Sequence, residues 1–316
     1  CSTFVCQGYY YVFDSRCTWR MTSLTVGVCA YNEEKNIASC LGSILRQKGT
    51  AFQLREVLVV CSGCTDGTEA IVEGISRQDR RVRLLVQKQR EGKCSAINLI
   101  ISQAEGEVVA LVNGDNRLED GSLESLLEPF RDPSVGMAGG HPVPVNSPDS
   151  TIGFAVHMVW DLHLRLSLIN PKIGELVVFR KDGVSLPTHL GSDEDNIRMQ
   201  LERRGLRSVY VPDAIVINKG PTNVTDFMKQ RTRINIGEGY IKKLYDYDVP
   251  TQDWGLVARA LLDFLREHGK HPIRIMAAAM LEASARIYSK VYVALDKGDQ
   301  AVWCQIATSK DVDARD

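Results

Sequence analysis

From Leu24 to Asn113 the chain repeats one rhythm: an apolar strand, a short polar turn and an amphipathic helix. The strands read as LTVGVCA (24–30), LREVLVVCS (54–62), RVRLLVQ (81–87) and VVALVN (108–113). Between them lie EEKNIASCLGSILRQ, with Ile37, Cys40, Leu41, Ile44 and Leu45 at helical spacing, a helix from Glu69 to Arg77, and SAINLIISQA. Strands joined by short helical crossovers run parallel, and runs this apolar are buried on both faces. The expected fold class is therefore α/β, a Rossmann-like, mostly parallel sheet with helices on both faces.

After Gly139 the rhythm changes. GGHPVPVNSP (139–148) reads as a Pro-rich loop, Thr151 to Leu168 as a helix with aromatic residues, and GELVVFR as a strand. EDNIRMQLERRG is a charged helix stopping at Gly205, a normal C-terminal signal, and RSVYVPDAIVI is a further strand. From Val224 onward three helical segments form a C-terminal extension. In the last of them Ile273, Met276, Met280, Ile287 and Val291 share one side. That side is expected to pack on the α/β part; the alternative is a membrane surface. The expected organisation is a leader over residues 1–22, disordered or expression-derived, an α/β domain over 23–222 and a helical region over 223–316.

Composition excludes several classes. A formal net charge of -1 gives no electrostatic case for nucleic acid. No apolar run approaches the roughly 18 residues that span a bilayer. Nine cysteines, spread through strands and helices, argue for reduced thiols and a cytoplasmic setting. Cys61 and Cys64 lie in a turn with no second pair at zinc spacing.

The candidate site gathers at strand ends, where open α/β sheets bind ligands. VVALVN runs into Gly114, Asp115 and Asn116, so a carboxylate sits beside a glycine that lets backbone approach closely. Such a carboxylate can hold a hard divalent cation against a diphosphate, although Asn, Gly and Asp are also ordinary turn residues. AYNEEKNI (30–37) opens a helix after the first strand and suits a nucleotide; equally, Asn32 caps that helix and its acids suit the dipole. SGCTDGT offers Asp66 to a base N–H, or as an Asx-turn residue. REGKCSAIN places Arg90 and Lys93 where phosphate oxygens meet a helix start. His141 reads as a turn or packing residue, and Trp160, Asp161 and His163 as core before acceptor surface.

In this order the motifs resemble the inverting nucleotide-sugar glycosyltransferases of GT-A fold, the family of dolichyl-phosphate-mannose, cellulose and hyaluronan synthases. The resemblance covers about residues 23–240, and it implies that 23–222 is a catalytic domain with a nucleotide-binding half (23–117) and an acceptor half (118–222). It implies a nucleotide-sugar site formed by Ala30, Tyr31, Asn32, Glu33, Ser62, Asp66, Lys93, Asn113, Gly114 and Asp115. Asp115 would carry a divalent cation, Mn2+ or Mg2+, because the first acid of Asp-x-Asp is here Asn113. On these grounds an added carboxylate at 113 would strengthen the site. Within GSDEDN the pair Glu194 and Asp195 is implied to be catalytic, with Asp195 as base; MKQRTRI matches Gln-x-x-Arg-Trp through Gln230 and Arg233, with Ile234 at the Trp position. Gly174 and Glu175 fall where the family builds its acceptor site.

The resemblance implies a hexosyl-type transfer from a nucleotide diphosphate sugar to a saccharide, lipid phosphate or small metabolite. A cytoplasmic location, peripheral at the inner face of a membrane, fits such acceptors. Two alternatives remain: a nucleotidyltransferase, which would carry a Gly-rich basic loop where AYNEEKNI is acidic, and a non-catalytic sugar-nucleotide binding protein, which Asn113 favours.

Overall fold

The computed structural model describes residues 5–6, 9–10, 21–298, 302 and 305–312. Val5–Cys6 (β1) and Tyr9–Tyr10 (β2) pair with each other, apart from the main sheet. The remainder of the expected leader up to Arg20 lies outside the described residues.

The first half follows the expected rhythm: β3 (Thr22–Ala30), α1 (Ile37–Leu45), β4 (Phe52–Ser62), α2 (Thr68–Gln78), β5 (Val82–Gln87), α3 (Lys93–Gln103) and β6 (Val108–Asn113). A short β7 (Arg117–Leu118) and α4 (Ser122–Leu127) lead to β8 (Val135–Pro144), α5 (Thr151–Ser167), β9 (Leu176–Arg180), α6 (Asp193–Glu202) and β10 (Arg207–Asn218). These strands form one eight-stranded sheet in the order β5-β4-β3-β6-β9-β8-β10-β7. Pairs β5-β4, β4-β3, β3-β6 and β8-β10 are parallel; β9 runs antiparallel between β6 and β8, and β7 closes the far edge antiparallel.

Alternation along each strand explains the two helical layers. Leu24, Val26 and Val28 of β3, with Val57 and Val59 of β4, pack with Ile37, Leu41 and Ile44 of α1. The opposite face, Leu58 and Val60 with Val109 and Leu111, packs with Ile97 and Ile100 of α3. Gly27 lies on that second face, where a Cβ would meet Ile100 at 2.6 Å, so α3 rides close over β3 only because no side chain is there.

Residues 139–144 correct the expectation of a Pro-rich loop: they are strand, pairing with β10 up to Asn218↔Pro144. β9 flanks β8 only from Met137 to Gly139. Beyond that point β8 has one open side, and Pro142 and Pro144, two apart, put both missing N–H groups on the same side. Proline is tolerated at such a local edge. Gly140 serves the same approach, since a Cβ there would lie 2.5 Å from the Ala214 carbonyl oxygen.

The C-terminal helices α7 (Val224–Tyr245), α8 (Trp254–His268) and α9 (Pro272–Ala294) rest on α5. Ile152, Ala155 and Val156 of α5 meet Phe227, Phe264, Ile275 and Ala278. Helix α9 does pack, but through Ile275, Ala278, Ala285 and Ser289, with Glu282 accepting two bonds from Arg231 at 2.7 and 3.1 Å. The row expected to pack is left exposed, Ile273 at 77% and Ile287 at 65%. Spacing shows that residues share a side, not which of two apolar-tolerant sides meets the protein. Among the described residues no helix is long and apolar enough to cross a membrane.

Candidate active site

Strands β3, β4 and β6 end together, and one cleft opens at their carboxyl ends. Ala30, Tyr31, Glu33, Ser62, Lys93, Asn113, Gly114, Asp115 and Glu175 line it, joined by Gln230 and Arg233 from α7. These residues are scattered over some two hundred positions of the chain, and the sheet brings them to one place.

Asn32 and Asp66 are used differently. Asn32 takes up φ +53, which Asn tolerates. Its Oδ1 accepts from the Thr65 amide at 2.8 Å. Asp66 accepts from the amides of Glu34 at 3.2 Å and Thr68 at 3.0 Å. Burial raises the Asp66 carboxyl, but the bonds from Thr68 and Glu34 outweigh it and hold it below the ordinary range. The two side chains tie the β3 and β4 loops together and do not line the cleft. Gly174 does not line it either.

At the end of β6, Asn113 Nδ2 donates to Glu175 Oε2 at 2.8 Å, and Asn116 Nδ2 donates to the same oxygen at 2.9 Å. Burial, reinforced by Asp115, raises the Glu175 carboxyl. The side chain at 113 is thus a donor to a half-buried acid. A carboxylate at 113 would face Glu175 across a hydrogen-bond distance, which argues against the expected strengthening of the site. Asn113→Asp is expected to cost about 1–3 kcal/mol of stability, the usual scale for a broken buried hydrogen bond. Urea denaturation measures this, and Mn2+ titration should show no gain in affinity; a more stable or tighter-binding variant would contradict the arrangement.

Opposite Glu175, Glu33 and Asp115 converge on a single positive charge. The ammonium of Lys310, from the C-terminal segment, donates to Glu33 Oε1 and to Asp115 Oδ2, the latter at 3.0 Å. Burial and the Asp115 charge push Glu33 up to about 7, with Lys310 pulling the other way. Two carboxylates already aimed at one cation fit a divalent ion in the same place. Among the described residues no group of three or more His, Cys, Asp or Glu forms a metal cage. The protein therefore offers an open site of one or two carboxylates, the kind that leaves other positions to phosphates and water.

Lys93, at the N-terminus of α3, bridges to the start of α6: its Nζ lies 2.7 Å from Asp193 Oδ2 and 3.0 Å from Glu194 Oε1. Burial and the Glu194 charge push Asp193 up to about 7, while for Glu194 Lys93 and Asp193 overcome burial and bring it down to about 2. Asp195 faces elsewhere. Its Oδ2 accepts from Lys172 at 2.5 Å, and Lys172 also lies 3.2 Å from Glu238 of α7. Neither carboxylate lines the cleft itself: Glu194, 22% exposed, reaches it through the lining residue Lys93, whereas Asp195, 6% exposed, is part of a buried ion-pair cluster. The expected base, Asp195, is thus held in that cluster with Lys172 and Glu238.

The residues expected to be core are half-buried, with Trp160 packed against the α5 core cluster. His163 sits edge-on to Trp160 and Tyr210, burial lowers its imidazole to about 3, and Asp161 accepts from Arg165. His141 Nδ1 lies 3.0 Å from the Tyr210 hydroxyl.

Sequence reasoning missed Asn116, Asn218 and Lys219, and the C-terminal residues Gln305 and Lys310. Asn218 and Lys219 stand at the carboxyl end of β10, so the strand-end rule would have found them. Nothing in the composition or spacing of residues 305–312 pointed to the cleft.

A family profile described as Glycosyl transferase family 2 matches residues 25–187. Glycosyltransferase GlyG of Streptococcus pneumoniae is 29% identical over 133 residues, 42% of this chain and 43% of that protein. Poly-beta-1,6-N-acetyl-D-glucosamine synthase of Staphylococcus aureus is 24% identical over 225 residues, 67% of this chain and 54% of that protein. The chain thus spans about half the length of these curated relatives. Among solved structures, the mannosyltransferase PcManGT of Pyrobaculum calidifontis, determined with GDP-Man and Mn2+, superposes with a TM-score of 0.57. It is 23% identical, over 88% of this chain and 80% of that one. The shared architecture is the GT-A fold.

Proposed function

The chain belongs to glycosyl transferase family 2, and from that premise we propose that it transfers a sugar, with inversion, from a nucleotide diphosphate sugar to an acceptor hydroxyl or phosphate. The observation that carries the reading is the meeting of Asp115, Lys93, Gln230 and Arg233 in one cleft at the strand ends. An acidic turn and several cations in one cleft suit a diphosphate with a bound cation better than they suit an apolar ligand.

Inverting transfer is an in-line displacement at the anomeric carbon. A divalent cation, Mn2+ or Mg2+, held by Asp115 with Glu33 beside it, supplies positive charge for the leaving diphosphate. Arg233 and Lys93 add positive charge within the same cleft. The Asp193–Glu194 pair is assigned the acceptor proton, with Glu194 as base. Glu194 touches the cleft-lining Lys93 and is partly exposed, whereas Asp195 is buried against Lys172. When diphosphate oxygens draw the Lys93 ammonium, Glu194 loses the charge that holds it low and becomes the stronger base. Glu175, which lines the cleft and accepts from Asn113 and Asn116, is assigned to acceptor hydroxyls.

The acceptor is a saccharide, a lipid phosphate or a small metabolite. The exposed apolar row on α9 supports a peripheral contact with a membrane, on its cytoplasmic face. The test is a panel of UDP, GDP and dTDP sugars with Mn2+ or Mg2+, run with saccharide acceptors and with membrane lipid extract. Release of nucleoside diphosphate with a glycosylated product by mass spectrometry is expected. Pyrophosphate release would indicate nucleotidyl transfer instead, and tight binding without turnover a non-catalytic binder.

A further inference from the structure

The described C-terminal residues 305–312 lie across the cleft. Gln305 Nε2 donates to the backbone carbonyls of Tyr31 and Asn32 at 3.2 and 3.1 Å. Thr308 Oγ1 donates to Asp226 at 2.8 Å. Beyond the cleft the Val312 amide donates to Asn36 Oδ1 at 3.1 Å. Ile306 and Val312 are buried. The segment is therefore held on both sides of Lys310, and the position of that ammonium is set by the fold.

What Lys310 touches gives it a role. It is shared by Glu33 and Asp115, the two carboxylates that fit the cation. The ammonium offsets much of the negative charge of the two carboxylates, and a free divalent ion must approach beside it to reach them. Like charges at that distance oppose entry, most strongly where water is scarce. A nucleoside diphosphate reverses the balance: its oxygens give Lys310 a new partner and bring their own ligands to the metal.

We propose that Lys310 is a third member of this cation site, holding Glu33 and Asp115 until a diphosphate arrives, so that the metal enters together with the donor and not ahead of it. The proposal rests on the reading of Asp115 as the metal carboxylate. It makes metal and diphosphate binding strongly cooperative, and by linkage each must raise the other's affinity by the same factor.

The test reads binding, not turnover. Free Mn2+ is followed by electron paramagnetic resonance, with and without UDP or GDP, for the full chain and for Lys310→Gln, Lys310→Met and Lys310→Arg. The intact protein is expected to bind Mn2+ weakly alone and on the order of tenfold or more tightly with diphosphate, within the usual range of such couplings. In Lys310→Gln and Lys310→Met, Mn2+ alone should bind tighter and the enhancement by diphosphate should shrink; Lys310→Arg should keep the original behaviour. Melting curves identify a misfolded variant, and having two neutral variants keeps the test open if one fails. Unchanged Mn2+ affinity and unchanged enhancement in the neutral variants would overturn the proposal and leave the metal reading intact. No Mn2+ binding by any form, even with diphosphate, would overturn both.

Discussion

Asp115→Ala is expected to lower kcat/KM by about 10²–10³-fold, the scale for losing one electrostatic contact to a leaving group. Asp115 stands at a turn, 25% exposed, and its one described ion pair is with Lys310, so little of the fold depends on it. Its removal leaves Glu33 alone to face both Lys310 and any metal. Glu33 is poorly suited to replace it: burial still disfavours its charged form once the Asp115 charge is gone, and Lys310 still claims its Oε1. The loss should therefore appear as a weaker response to Mn2+ with little change in melting temperature. Undiminished turnover in Mn2+ would remove Asp115 from the cation site, and a large fall in melting temperature would make it a structural residue.

The parts of the fold that were legible in the sequence are those set by local periodicity. β3, β4 and β6 are apolar on both faces because helices cover both, and that requirement is written into LTVGVCA, LREVLVVCS and VVALVN. The strand-end turns, from Tyr31 and Asp115 to Lys93, were found for the same reason: a sheet of parallel strands has one end at which ligands gather. What the sequence hid depends on partners distant in the chain. GGHPVPV is strand only because β9 stops beside Gly139 and leaves an edge that proline tolerates. The role of Asn113 follows from Glu175, some sixty residues away, which needs two amide donors. Lys310 reaches Asp115 across 195 positions with no motif to mark it.

Glu194 against Asp195 is the sharpest case of such ambiguity, and the experiment on it carries the second large effect. Asp193, Glu194 and Asp195 open α6 in succession, and successive helical residues point about 100° apart. Composition and dipole favour all three alike, so only the neighbours decide which one serves the cleft. Glu194→Gln is expected to lower kcat by roughly 100-fold or more, the scale of general-base loss, with donor KM and melting temperature nearly unchanged. Asp195→Asn should act first on stability: taking one partner from the buried cluster with Lys172 and Glu238 costs on the order of 3 kcal/mol, and activity should recover toward normal at temperatures where the variant stays folded. An acceptor already ionised, such as a lipid phosphate, needs no base, and both variants would then turn over at near-normal rates while Asp195→Asn still melted early. The assignment fails if Asp195→Asn keeps its melting temperature and loses turnover while Glu194→Gln works normally, because the buried carboxylate would then be the one that meets the acceptor.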